Sequence, residues 1–243
     1  MGIYPPAFKA IGFEKKELNM EKVIVVGANG AIGKAFADGC EARGISVVRL
    51  SREDMDLSSE DSIKACALRL QSEGFFDAIF VATGILHTPT IQPEKNIKQL
   101  NQDNLHTLFQ VNAIGPIMVL KHFSGFFDPQ KRGVFAAISA HVGSISDNKL
   151  GGWYGYRSSK TALNMFLKTA SIELRRTHKE LIVASIHPGT VDTPLSRPFH
   201  ANIPKEKLLT PEAAAHQLIE LLEKLTPQDS GNFLNWDGSK IEF

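Results

Sequence analysis

The chain has little cysteine, no excess charge of either sign and no long apolar run. Its 243 residues hold two cysteines, Cys40 and Cys66, each among helix-forming residues and neither inside a partner motif. This count excludes a disulfide framework, so both read as reduced structural thiols, and no metal site is expected. Lys and Arg number 27 against 26 Asp and Glu, for a net charge of +1. Without clustered positive charge, neither a nucleic-acid partner nor an anionic membrane surface has electrostatic support. No stretch approaches the roughly 18 uninterrupted apolar residues that span a bilayer, so no membrane association is expected. The first twenty residues mix Pro5, Pro6, Glu14, Lys15 and Lys16 and form no signal-peptide core, which places the protein in the cytoplasm. Residues 1–20 read as a poorly ordered extension, with Met20 where an internal start would fall. What is present is 43% hydrophobic and 22% charged residues, a balance suited to one folded domain over residues 21–243.

That domain alternates strands and helices. KVIVVG (Lys22 to Gly27) is a β-branched run ending in glycine, and AIGKAFADGCEARG follows at helical spacing until Gly44 stops it. SVVRLS gives a second strand, SSEDSIKACALRLQSEG a helix capped by Ser58 or Ser59, and FDAIFVATG a buried third strand. VNAIGPIMVLKHF reads as a helix, GVFAAISA as a strand, RSSKTALNMFLKTASIELRR as a long helix and LIVASIHPG as a further strand. Repeated βα units with short loops predict an α/β fold, a Rossmann-type doubly wound parallel sheet with helices on both faces.

Ligands of such sheets bind beyond the carboxyl ends of the strands. After the first strand, GANGAIG places Gly27, Asn29, Gly30, Ile32 and Gly33 where absent side chains let the backbone N–H groups approach a pyrophosphate at a helix N-terminus. The alternative is an ordinary strand-to-helix turn. The second strand ends in Ser51 and Arg52. An NAD-specific site offers a carboxylate here to the ribose hydroxyls, whereas a 2′-phosphate needs positive charge, so Arg52 favours NADPH over NADH. Against this, Arg52 is merely solvated and Glu53 or Asp54 takes the ribose. Asp56 and Leu57 are candidates to flank the adenine, and Ala82, Thr83 and Gly84 of VATG lie near the middle of the cofactor.

The glycine turn, Asn112 in VNAIG, Tyr156 and Lys160 in YRSSK, and HPGTVDT (His187 to Thr193) stand in the order and spacing of the short-chain dehydrogenase/reductase family, which residues 21–240 resemble. The stretch ISAHVGSISDNKLGGWYGYRSSKTALNM is most similar to C-factor-type and sniffer-type carbonyl reductases. This resemblance implies that Tyr156 and Lys160, four residues apart on one helix face, both point at the nicotinamide and its ribose. Tyr156 is then the proton donor, Lys160 favours its ionised form and holds the ribose, and Asn112 holds a water in the proton relay. Pro188, Gly189, Val191 and Thr193 are implied contacts of the nicotinamide. The plain reading of Asn112 is a helix-distorting residue near Gly115 and Pro116.

The chain departs from the family where the second serine of a pair hydrogen-bonds the substrate oxygen. Here Ser139 is followed by Ala140, and two replacements are available: Ser139 itself, if the strand end twists, and Ser144 on the adjacent loop. No room exists for a helix directly after the second strand, so the sheet is expected to be reduced on that side. LSRPFHANIPKEK is sized as a lid, with Arg197, His200 and Lys205 as its charged members. Trp153 and Tyr154 either line an apolar pocket or pack on another subunit. His87, His106, His141 and His178 read as surface or structural residues. Leu163, Phe166, Leu167, Ala170 and Leu174 form an apolar stripe that covers the sheet or a partner, and relatives use this helix in homodimers and homotetramers. The C-terminal GNFLNWDGSKIEF reads as a tail docked on the core or on a partner. The leading reading is an NADPH-dependent reductase of an aldehyde or ketone, or oxidant of the alcohol in reverse. A dinucleotide-binding regulatory protein with little turnover is the alternative. An epimerase or dehydratase of nucleotide-linked sugars is disfavoured by the short region after Thr193.

Overall fold

Val23 to Val26 are buried on both sides of the chain, as an interior parallel strand requires. The computed structural model that contains them describes residues 20–202, 204 and 208–243. In chain order the elements are β1 (Lys22–Val26), α1 (Ala31–Ala42), β2 (Ser46–Leu50), α2 (Glu60–Arg69), β3 (Ala78–Val81), α3 (Gln102–Phe109), a π-helical turn (Gln110–Ile114), α4 (Gly115–Phe123) and β4 (Gly133–Ile138). Then follow α5 (Tyr154–Leu174), β5 (Leu181–His187), β6 (Thr190–Val191), β7 (Leu208–Leu209), α6 (Pro211–Lys224) and β8 (Phe233–Asn235). Six parallel strands run in the order β2, β1, β3, β4, β5, β8, while β6 and β7 form a separate parallel pair. The sheet ends at β2, in keeping with the direct passage from that strand into the α2 cap.

Local chemistry explains most element ends. Gly44, at φ 79°, closes α1, and the Ser59 hydroxyl caps α2 by accepting from the Ser62 N–H. The predicted helix over VNAIGPIMVLKHF is interrupted: Gln110–Ile114 form a π turn around Asn112 before α4 begins.

Helices cover both faces. On one, α1 and α6 bury Phe36, Ala37, Leu218, Ile219 and Leu222, with the Phe36 and Phe80 rings stacked at 4.1 Å. On the other, α2, α4 and α5 bury Ile63, Val119, Phe123, Leu163 and Leu167 against Ile79 and Phe135. Each such fully buried Val, Leu, Ile or Phe side chain contributes roughly 1.5–3 kcal/mol over its exposed state. The expected α5 stripe is corrected at one position: Leu163 and Leu167 are buried and Ala170 and Leu174 pack against them, but Phe166 faces outward with Met165 and Ile172.

Residues 1–19 of the expected extension lie outside the described residues, whereas Met20 is buried with α1 and belongs to the folded domain. The C-terminal tail docks on its own chain. The Ile241 N–H donates to the Phe233 carbonyl at 2.8 Å, the Phe243 ring stacks on Phe233, and the Phe243 carbonyl accepts from the Ser146 N–H. No helix among the described residues is long and apolar enough to cross a membrane.

Candidate active site

The chain leaves β1 for β2 on one side and returns to β3 on the other, so the sheet reverses winding between β1 and β3. The crevice beyond that point is where a doubly wound sheet takes a ligand, and three strand-end segments meet there.

The glycine turn fits a dinucleotide. A Cβ at Gly33 would collide with the carbonyl oxygen of Gly27, and one at Gly27, whose φ is 82°, would stand 2.8 Å from the Thr83 methyl. Gly27 and Ala28 both donate to the Leu50 carbonyl, which ties the turn to β2. Gly30 caps α1 without a side chain, and the first turn has no carboxylate, so the free N–H groups and the positive helix end face the crevice unblocked. Asn29 is exposed on the turn and Ile32 is half-buried behind it. Just past β3, Ala82 donates to the Val26 carbonyl, the buried Thr83 hydroxyl has no partner, and Gly84 leaves space beside the Lys160 ammonium, 3.2 Å from where a Cβ would be.

Beyond β2, Ser51 is held by Asp54, whose carboxylate accepts from both the Ser51 N–H and hydroxyl at 2.8 Å. Those bonds hold the Asp54 carboxyl below the usual carboxylate range. Arg52 extends into solvent at 86% exposure, with Asp56 4.0 Å away. Asp56 accepts from the Ser58 N–H and hydroxyl. Leu57, expected to flank the adenine, turns its side chain inward. It is buried against Gly115, where a Cβ would meet it at 2.7 Å, and only its backbone remains for such a contact.

The third segment is α5. Tyr156 and Lys160 lie on its buried face, with the Lys160 ammonium 6.0 Å from the Tyr156 ring centre and donating to the Ile138 carbonyl at 2.8 Å. Burial brings Lys160 down to about 7 and raises the Tyr156 phenol above its ordinary value. Asn112 is fully buried. Its side-chain oxygen accepts from the Ile85 N–H, and its amide donates to the Ile85 carbonyl and to the Ser159 hydroxyl. Ser159 donates in turn to the Tyr156 carbonyl at 2.9 Å. The side chain expected to hold a relay water therefore clamps the loop after β3 to the helix that carries Tyr156. Ser159 was legible only as part of YRSSK, with no role.

Both serines expected to replace the missing hydroxyl are engaged inside the protein. Ser139 is buried and donates to Asn164 at 2.7 Å, since strand alternation turns it toward α5. Ser144 donates to the Glu242 carbonyl at 2.6 Å and serves the C-terminal tail. Neither hydroxyl proton is left for a reacting oxygen. His141, next after Ala140, bonds Asp147 and faces His187 at 5.7 Å, and burial brings His187 down to about 4, so it is neutral.

Past β5, Pro188 is buried, Gly189 takes φ 79° beside Trp236, and the buried Val191 and Thr193 are organised by Ser196. The Ser196 hydroxyl donates to the Val191 carbonyl and accepts from the Thr193 N–H, a role the sequence did not reveal. Of the charged lid residues, Arg197 pairs with Asp192, His200 meets Ser196, and Lys205 lies outside the described residues. Phe199 packs on Trp153 at 4.6 Å, and Trp153 stands 6.3 Å from the Tyr156 ring. Trp153 thus walls the site, while Tyr154 points outward. His87 also belongs here: its ring lies against Phe199, with Nε2 3.2 Å from the Leu195 carbonyl.

A parallel sheet with a glycine cradle at its switch point and a buried Tyr–Lys pair defines a dinucleotide-dependent oxidoreductase. A family model described as short chain dehydrogenase matches residues 53–204, and the chain belongs to that family as an NAD(P)-dependent oxidoreductase. It is 28% identical over 239 residues to 1-hydroxy-2-glutathionyl-2-methyl-3-butene dehydrogenase of Rhodococcus sp. strain AD45, covering 92% of this chain and 100% of the relative. It is 30% identical over 136 residues to the C-signal of Myxococcus xanthus, covering 55% of this chain and 75% of that one. Two solved structures share its fold. The NADPH-bound carbonyl reductase from chicken fatty liver superposes with a TM-score of 0.80 at 21% identity over 95% of this chain and 97% of its own. The carbonyl reductase Sniffer of D. melanogaster gives 0.76 at 20% identity over 93% and 100%.

Proposed function

We propose that this oxidoreductase is an NADPH-dependent carbonyl reductase that reduces an apolar aldehyde or ketone and oxidises the corresponding alcohol in reverse. The observation that carries it is the buried Tyr156 and Lys160 on one face of α5 at the sheet's switch point. The dinucleotide, when bound, supplies the hydride. Gly27, Asn29, Gly30, Ile32 and Gly33, with the start of α1, hold its pyrophosphate. Arg52 takes the 2′-phosphate beside Ser51, whose own donors Asp54 holds, and Asp56 with the Leu57 backbone borders the adenine. Ala82, Thr83 and Gly84 lie along its middle, with the orphaned Thr83 hydroxyl available as a donor. Pro188, Gly189, Val191 and Thr193 border the nicotinamide.

Lys160 binds the nicotinamide ribose, and its charge favours the tyrosinate over the phenol. Tyr156 delivers its proton to the carbonyl oxygen and in the reverse direction takes the alcohol proton. Asn112 holds the loop after β3 and, through Ser159, the Tyr156 backbone. Trp153 and Phe199 form the apolar wall that sets the substrate's character. The Rhodococcus relative carries a 1-hydroxy compound in its name, which is the alcohol side of the same chemistry. The exposed Tyr154, Met165, Phe166 and Ile172 on α5 support a homodimer or homotetramer, and the reduced thiols support the cytoplasm.

A regulatory protein that binds the dinucleotide with little turnover is the second reading. It is favoured by Ala140 together with the engaged hydroxyls of Ser139 and Ser144. NADPH consumption over aldehydes, diketones and quinones, run beside Tyr156→Phe, separates the two. Turnover lost in the variant supports the reductase, and tight NADPH binding without turnover on the panel supports the regulator.

A further inference from the structure

Glu94 stands out as an acidic residue that is only 4% exposed, and it lies in the long loop between β3 and α3 with no role in the proposed chemistry. Among the described residues it forms no ion pair. Its side-chain carboxylate accepts instead from the Gly155 N–H at 3.2 Å, and its backbone carbonyl accepts from the Trp153 N–H at 2.6 Å. The donors are the first-turn residue Gly155 and the cap residue Trp153 of α5, and Tyr156 follows directly.

That turn is strained in an informative way. Gly151, Gly152 and Trp153 have φ of 65°, 67° and 52°, three consecutive residues in the left-handed region. Trp153 is the one non-glycine residue with positive φ among those described, and it caps α5 without a capping side chain. A bulky residue persists in such a conformation only where its surroundings enforce it, and such strain gathers at functional sites. Here the indole has a use, since it meets Phe199 of the lid and stands beside the Tyr156 ring. Glu94 supplies the enforcement from 61 residues away. Gly155 completes the fit, because a Cβ there would stand 3.0 Å from the Glu94 carboxylate and 2.6 Å from Leu108 of α3.

We infer that Glu94 is a positioning residue for this site. Its carboxylate and its backbone carbonyl together lock the Gly151–Gly155 turn, so that Trp153 walls the pocket and Tyr156 meets the carbonyl oxygen. The inference rests on the reading of Tyr156 as proton donor. A buried carboxylate at a helix N-terminus is favoured by the helix dipole, which lets Glu94 stay there without a cation. Displacing a reacting group by about 1 Å can cost roughly 100-fold in rate, so a lock on this turn is a lock on kcat.

The test compares Glu94→Ala, Glu94→Asp and Glu94→Gln with the parent by amide hydrogen exchange over residues 151–158, NADPH affinity and carbonyl reduction. Glu94→Ala is expected to lose protection at Gly155, whose acceptor it removes, while Trp153, held by the backbone carbonyl of residue 94, and α5 beyond Ser159 stay protected. Its kcat should fall about 10- to 100-fold, with NADPH affinity held within about twofold. Glu94→Gln keeps an acceptor for Gly155 and should recover most of kcat. Glu94→Asp, one methylene short, should fall between and serves in place of the alanine variant if that does not fold. Unchanged exchange and kcat in Glu94→Ala or Glu94→Asp, or a glutamine variant as slow as alanine, would overturn the inference. A parent without turnover fails the reductase reading instead, and the exchange pattern then decides on Glu94 by itself.

Discussion

Asn112 and Ser159 meet in the protein interior at 3.0 Å, the Asn112 amide donating to the Ser159 hydroxyl and the hydroxyl donating onward to the Tyr156 carbonyl. With the two bonds to Ile85, the Asn112 side chain has three hydrogen bonds that water cannot replace in place. Asn112→Ala leaves the Ile85 groups short of partners and should destabilise the fold by about 2–3 kcal/mol. For a domain of this size that is a Tm lower by roughly 5–10 °C. Asn112→Asp should do no better, because its second oxygen would face the Ile85 carbonyl. Scanning calorimetry reads both variants, and a shift below about 1 °C would mean the clamp carries no weight.

The position after Ser139 offers a gain of function. Alternation along the end of β4 turns Ser139 to Asn164 and leaves Ala140 facing the other way. Ala140→Ser adds a donor where only Tyr156 is proposed to meet the reacting oxygen. One such hydrogen bond is worth about 10²-fold or more in acyl-transfer sites, so kcat should rise at least about tenfold with little change in KM. A kcat at or below the parent's would place Ala140 away from the oxygen.

These two positions show what the sequence made legible. The glycine turn, the Tyr156 and Lys160 spacing and the alternating elements are local patterns, and each sits where its pattern places it. The helices α3 and α6 drew no reading, although Asn101 and Thr210 stand as their caps. What stayed hidden was long-range. Ser139 is claimed by Asn164, 25 residues on, and Ser144 by a carbonyl 98 residues away. His87 reaches a lid residue 108 positions distant. A hydroxyl's position along the chain does not tell which acceptor the fold will bring to it.

Cofactor choice turns on two side chains of opposite sign. Arg52 is solvent-exposed and free to meet a 2′-phosphate, whereas Asp54 holds the Ser51 N–H and hydroxyl and adds a negative charge behind them. Arg52→Ala should lower the ratio of NADPH to NADH affinity about tenfold, equivalent to about 1.4 kcal/mol. Asp54→Ala frees Ser51 and should raise it. Fluorescence titrations with both dinucleotides measure the ratios, and an unchanged value for Arg52→Ala removes that residue from phosphate recognition.

Lys160 makes cofactor binding pH-dependent in a definite direction. In the dinucleotide-free protein burial brings its ammonium down to about 7, so it is charged below that pH and neutral above it. The proposed contact of Lys160 with the ribose of an anionic dinucleotide would favour the charged form and raise the value in the complex. Binding above pH 7 therefore takes up a proton, and by linkage the affinity must fall as pH rises, by up to about tenfold per unit, until the value in the complex is reached. The window from about pH 7 to 9 isolates this effect, because the 2′-phosphate, with a second pKa of about 6, is already fully ionised there. NADPH titrations across that window should show affinity decreasing with pH in the parent and flat in Lys160→Met. Calorimetry in buffers of different ionisation enthalpy should register the proton uptake directly. A parent as flat as the variant would mean that the Lys160 charge is not what the dinucleotide meets.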